Sequence, residues 1–381
     1  MRSRLTLDSP IQRSLFGTGL LGTILTVGAI FVLVLLGPPE QQVTINFLIA
    51  VVAVVGFQVY SGNSGILTFG HVAFVGIAAY ASGILTMPVA IKEQALPNLI
   101  PFLAGIELPL GLATVGALLV VAVVALIFGV PFARLSAAAT PIATLAMLLI
   151  TYVVLVGAAD VTRGSQTFYG VPPLTGMGVA VAAAILAILV ARVFRESVPG
   201  LRLRASREDE LAARSTGVDV AKLRLVAWML SALIVGLSGV LLAHNLTAFS
   251  PKQFYLPLQF ALVAMLVVGG PTTVTGAVGG TFLVSLLLEL ARRAEGAIQG
   301  LTLGPIVVPE IFGLQEITLG LVILAVMYRR REGLFGRLEV DEMLARWWAG
   351  RRKGGDGKAP VETPQVPEDD WPDPEHPTVA S

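Results

Sequence analysis

The chain has 381 residues, 55% hydrophobic and only 13% charged, against roughly 25% charged in a soluble domain. Its 26 Lys and Arg nearly cancel 25 Asp and Glu, leaving a net charge of +1, and its mean hydropathy is +0.81. This excludes an ordinary soluble enzyme, a disordered chain and a nucleic-acid binder; the lack of cysteine removes disulfides and thiolate chemistry, and three distant histidines argue against a His metal site.

The charges that remain are separated by long uncharged runs, such as 41–91, 135–159 and 253–288. A bilayer core needs roughly 20 apolar helical residues to cross. The runs predict ten spans, at about 17–36, 43–60, 66–87, 109–131, 138–158, 177–195, 223–244, 257–269, 276–293 and 310–328. The first is too long for a signal-peptide core and is expected to be retained. The eighth is short, which suggests a tilted or half helix. The fold class expected is an all-α polytopic membrane protein with about ten transmembrane helices (8–10) and both termini cytoplasmic. With the N-terminus inside, 21 of 26 basic residues fall on the inner side, as the positive-inside rule asks.

The spans carry no ionisable group except His71 and residues near their ends. That weakens a proton- or ion-coupled mechanism, in which such groups mark the pathway. A phosphate-binding G-x-x-x-x-G-K-[ST] is absent. The Gly-rich stretch 269–280 reads as a tight connection followed by a helix with small packing residues, Gly276 and Gly280.

The one sizeable polar segment between spans is 196–222. Ser206 and Asp209 fit a capping box. Glu208, Asp209 and Glu210 suit a first turn. Glu210 and Arg214 are spaced i,i+4, and Gly217 suits a helix end. One short cytoplasmic helix is predicted, from about Arg207 to Thr216, with a new cap at Asp219. Such a helix, held between two spans, can either solvate the surface or receive a push from a soluble partner.

Two stretches resemble a known family. Residues 61–80, with Gly62, Gly65, Leu67, Thr68, Gly70, His71, Phe74, Ala79 and Tyr80, look like the early motif of branched-chain amino-acid ABC transporter permeases, of the larger M type. Residues 200–217 resemble the family's cytoplasmic coupling segment, with Leu201 where Arg is usual. The basic end, Tyr328 to Gly336, resembles the family's terminal motif without its Pro.

The resemblance implies an integral, non-enzymatic subunit of an importer in the plasma (bacterial inner) membrane. It would take branched-chain or similar apolar amino acids by alternating access. The implied partners are a second homologous permease, two ATP-binding subunits and an extracytoplasmic substrate-binding protein, with membrane lipid around and no nucleic acid. No cofactor is expected in this chain; ATP and Mg would be used by the partners. Coupling is expected at Arg204, Ala205, Arg207, Glu208, Asp209, Glu210, Ala212, Ala213 and Gly217. The substrate path is expected beside Gly65, Thr68, Gly70, His71 and Phe74, in an irregular segment of which His71 either packs or lines the path. The alternatives are urea or short amides as substrate, or an ion-coupled secondary carrier.

Three regions are expected: a cytoplasmic segment 1–16, a permease domain 17–335 containing the loop 196–222, and a cytoplasmic, largely disordered tail 336–381. In the tail, Trp347 and Trp348 among basic residues suit an interfacial stretch.

Overall fold

The computed structural model describes residues 10–298, 302–303, 306–307, 313–329, 333–336 and 339. The segment before residue 10, most of the expected tail, and Trp347 and Trp348 lie outside them.

Helix α1 (Pro10–Leu35) is followed by α2 (Pro38–Ser64), which two prolines start and Glu40 favours in its first turn. Gly65, at φ +73°, ends α2 by donating its N–H to the Ser61 carbonyl. Helix α3 (Val72–Thr86) comes next. Two short helices, α4 (Val89–Ala95) and α5 (Pro101–Ala104), make an outer loop held by Lys92, whose buried ammonium donates to the carbonyls of Leu103 and Ile106.

Helices α6 (Leu110–Phe132), α7 (Ala139–Gly157), the single turn α8 (Ala159–Thr162) and α9 (Met177–Glu196) follow. The polar loop forms α10 (Val198–Glu208) and α11 (Glu210–Ser215). Asp219 caps α12 (Val220–Leu246), accepting the Lys222 N–H at 3.0 Å as its sequence position predicts. The membrane part closes with α13 (Leu256–Gly269), α14 (Val274–Ile298) and α15 (Leu314–Arg329). Between the last two, Thr302–Leu303 and Ile306–Val307 pair antiparallel.

The described residues thus hold all ten expected apolar helices, of which eight are long and apolar enough to cross a membrane, α13 only together with the turn Pro251–Phe254 that precedes it. The two others, α3 and α15, are shorter. Residues 310–312 of the tenth expected span lie outside the described residues.

The core is built on α2 and α12. Val51, Val52, Val54, Val55, Phe57 and Val59 of α2 are fully buried, as are Ala227, Ala232 and Val235 of α12. Small residues allow the close approach: Gly56 faces Val235, and a Cβ on Gly239 would overlap the backbone of Val75 in α3. By contrast α6 exposes Leu112, Val115, Leu119, Val123 and Ile127, a face suited to lipid.

The third expected span, 66–87, is helical only from Val72. Residues 65–71 are irregular. At about 1.5 Å per residue, the 15 residues of α3 reach about 22 Å and the 14 of α13 about 21 Å, both less than the ~30 Å core. An irregular stretch with the 3-10 turn Pro251–Phe254 precedes α13. The starts of the two short helices meet: Gln259 of α13 accepts the Val72 N–H at 3.2 Å and donates to the Thr68 carbonyl at 3.5 Å. Non-helical backbone inside a bilayer survives only when enclosed by protein or beside a cavity. Here side chains from α7 and α13 supply the partners, since Thr144 also receives the Phe69 N–H.

Candidate functional site

At one end of the bundle the charges of the basic loop converge. The helix predicted over 207–216 is in fact two. Ser197, not Ser206, caps the first, accepting the Gly200 N–H, with Pro199 in its first turn. Ser206 lies inside α10 and donates its hydroxyl to the Leu203 carbonyl. Asp209 breaks the helix: its backbone is extended and its carboxylate accepts the Ala212 N–H at 2.9 Å. Glu208 therefore ends α10, and of the three acidic residues Glu210 alone sits in the first turn of α11. The competition between an Asp side chain and the helical ladder explains the break. Gly217, at φ +82°, terminates the segment as its type predicts.

The pair of helices is held from behind. Glu210 pairs with Arg214 at 2.6 Å and with Arg224 of α12 at 2.8 Å. Burial pushes its carboxyl up, but hydrogen bonds and charge from Arg214 and Arg224 outweigh this and hold it below the usual glutamate range. Arg207 donates to the Gly62 carbonyl at the end of α2 (3.4 Å), and its side chain covers Gly65. Arg204 donates to the Arg195 carbonyl at 3.0 Å. Ala205, Glu208, Asp209, Ala212 and Gly217 face outward, and Ala213 is half-buried. No residue of α11 is buried, and Leu211 is 79% exposed. Leu211 was not singled out from sequence; a large apolar residue three positions after Glu208 on a short polar helix was the signal available.

The second expected site, around His71, is a packed kernel. His71 and Thr68 are fully buried, and Nδ1 of His71 lies 2.7 Å from the Thr68 hydroxyl. The ring is enclosed by Phe57, Tyr60, Phe74 and Trp228, with centroids 4.7 to 6.1 Å away. Trp228 donates its indole N–H to the Ala125 carbonyl at 3.0 Å. The hydrogen-bond partner of His71 is thus a side chain in its own segment. Gly70 packs on the Thr144 backbone. Of the five expected path residues only Gly65 is exposed, and there α2 ends. Nearby, the amide of Gln58, the Ser61 hydroxyl and Nε2 of His71 are buried without a partner among the described residues. Such groups are places for ordered water.

At the opposite end of the bundle a cleft of about 520 Å³ runs between α2 and α14, with Gln42, Phe47, Met265, Glu289 and Arg292 among its walls. Its charges satisfy one another: Glu289 takes Arg292 at 2.8 Å and Arg293 at 2.7 Å, and Arg293 approaches Glu40 at 3.7 Å. Among the described residues no group of three or more His, Asp or Glu could hold a metal ion.

A bundle of apolar helices with two short, broken members and an exposed polar helix pair at its basic end defines a multi-pass membrane transport protein. The profile of the family described as "Branched-chain amino acid transport system / permease component" matches residues 41–328, and the chain belongs to that family. It is 25% identical over 281 residues to the high-affinity branched-chain amino acid transport system permease protein LivM of Salmonella typhimurium strain LT2, and 24% identical to LivM of Escherichia coli K12. In each case the alignment covers 65% of this chain and 61% of the relative, so the chain spans about three-fifths of the relatives' length. A probable branched-chain amino acid transport permease protein LivH of Methanocaldococcus jannaschii is 33% identical over 87 residues, 23% of this chain and 27% of that one. No solved structure matches. The protein is accordingly placed in the bacterial inner membrane.

Proposed function

We propose that the chain is the permease subunit of an importer for branched-chain or similar apolar amino acids, driven by ATP hydrolysis in separate subunits that dock on α10 and α11. One observation carries the docking part. Helix α11 buries no residue of its own, yet Glu210, Arg224 and Arg207 tie the pair to α12 and α2. A helix that is held at its base and buries none of its residues suits transmission of force. Leu211 supplies an apolar anchor, and Glu208, Asp209 and Arg214 supply polar contacts around it. Arg204, Ala205, Arg207, Ala212, Ala213 and Gly217 complete the surface and its support.

The family and the names of its relatives support the substrate class. The second permease, two ATP-binding subunits and an extracytoplasmic binding protein are the partners of this reading; ATP and Mg belong to those partners. The path reading for Gly65, Thr68, Gly70, His71 and Phe74 requires the aromatic kernel to open during transport. The side chains of Gln58 and Ser61 beside it, without a partner among the described residues, support a hydrated route.

Reconstitution tests the proposal. Vesicles holding this chain with its ATP-binding subunits and binding protein should take up labelled leucine only with ATP. Uptake by this chain alone, without ATP, would reveal a secondary carrier, and competition by urea but not leucine would move the substrate to small amides. A folded His71→Ala protein that transports at the unaltered rate would remove the path reading alone.

A further inference from the structure

Residues 333–336 and 339, after the last helix, are docked on the bundle, although composition assigns Gly336 and Glu339 to the tail. The Leu334 N–H donates to the Val268 carbonyl at 2.9 Å, and the Phe335 N–H to that of Gly269 at 3.1 Å. These carbonyls belong to the last turn of α13, where the helix has no partners of its own. The Thr272 hydroxyl donates to the Gly336 carbonyl at 3.3 Å. Gly333, at φ +81°, lies so close to Gly270 that a Cβ would overlap its backbone, and the Phe335 ring lies over Gly279 of α14. The stretch is a strap across the α13–α14 hairpin.

Glu339 locks the strap. It is 2% exposed, and its carboxylate accepts the N–H of Val274 at 3.0 Å, the N–H of Thr275 at 3.1 Å and the Thr275 hydroxyl at 2.6 Å. It thereby caps the first turn of α14, where the helix dipole favours an anion. The same carboxylate pairs with Arg195 at 3.0 Å and faces Arg192 at 3.8 Å. Both arginines end α9, at the root of the polar loop. The Arg195 carbonyl in turn takes Arg204 of α10. A buried carboxylate is tolerated only with such a set of donors and counter-charges. One side chain therefore joins the strap, the start of α14 and the root of α10.

We infer that Glu339 is a positioning residue for energy coupling: it ties the root of the α10–α11 loop to the α13–α14 hairpin, so that a displacement of the loop moves the hairpin with it. This rests on the proposed docking of ATP-binding subunits on that loop. The lock has two arms. The cap holds α14, and the ion pair holds α9.

Two readouts test it. In the isolated full chain, hydrogen exchange at the amides of Val274 and Thr275 should speed by at least ~10-fold in Glu339→Ala and less in Glu339→Gln, which keeps one acceptor. Arg195→Gln should leave those amides protected, since the cap remains. In the reconstituted importer, ATP hydrolysed per leucine imported should rise several-fold in Glu339→Ala and also rise in Arg195→Gln. Unchanged exchange in Glu339→Ala would overturn the tie. Faster exchange with an unchanged ATP ratio in both variants would reduce Glu339 to a structural cap and overturn the coupling role. If Glu339→Ala does not fold, Glu339→Gln gives the exchange reading, and Glu339→Gln with Arg195→Gln gives the ATP reading. Uptake without any ATP-binding subunit would instead defeat the proposed function, while exchange would still report on the tie.

Discussion

The basic end and the kernel around His71 both interrupt an apolar bundle with polar groups, and they are stabilised in opposite ways. At the basic end each described buried or half-buried carboxylate meets a guanidinium: Glu196 meets Arg195, Glu210 meets Arg214 and Arg224, and Glu339 meets Arg195 and Arg192. In the kernel there is no charge. One histidine–threonine hydrogen bond sits inside a cage of four aromatic rings, and several polar atoms have no described partner. The half-exposed Glu210 pairs can exchange partners at small cost, whereas neither the buried Glu339 set nor a close-packed aromatic cluster gives way without loss. The difference suits one end to moving as a tied unit against a partner and the other to holding the broken helices in register.

Four substitutions or conditions would break or sharpen this contrast. The largest effect is expected from Gly239→Leu, because the new side chain has only the α3 backbone to displace; the protein should not be recovered as a monodisperse species by size-exclusion chromatography in detergent. Next, Trp228→Ala removes the ring that touches His71, Tyr60, Phe74 and Phe132. It should cost about 3–5 kcal/mol, read as a lowered Tm. A double-mutant cycle of Thr68→Val and His71→Phe should give a coupling of about 0.5–1.5 kcal/mol; additivity would show that the kernel is held by packing alone.

The smallest effect concerns Glu210. Its folded carboxyl titrates lower than the unfolded one. The stability it contributes is therefore complete above the ordinary glutamate range and is lost as pH falls further, through the lowered folded value. Proteolysis in the 209–217 segment should increase over that acidic window in the native protein. In Glu210→Gln it should be high already at neutral pH and nearly flat.

What the sequence disclosed follows from the range of each interaction. The spans were legible because a bilayer forbids charge over a continuous stretch, and the gaps in charge are local. The caps at Asp219 and Gly217 were legible because their partners lie within four residues. The break at Asp209 was not, since Ser206 and Asp209 each fit a capping role and the choice between them is made by Ser197 and Pro199 upstream. The family motif at 61–80 marked the place of the kernel but not its form. The cage depends on Trp228, which is more than 150 residues away in sequence and has no local signal. Glu339 was hidden for the same reason. Its partners, Arg192, Arg195, Val274 and Thr275, stand on other helices, and its neighbours in sequence have the composition of a tail.

The central claim is that the displayed pair α10–α11 is the docking surface for the ATP-binding subunits. Leu211→Asp and Glu208→Lys change only exposed side chains and should leave stability within about 0.5 kcal/mol. The most direct measurement is equilibrium binding of the purified ATP-binding subunits to the detergent-solubilised variants, with Tm recorded alongside. The account predicts at least ~10-fold weaker binding by Leu211→Asp at unchanged Tm, equivalent to about 1.4 kcal/mol. Wild-type affinity in both variants would contradict it.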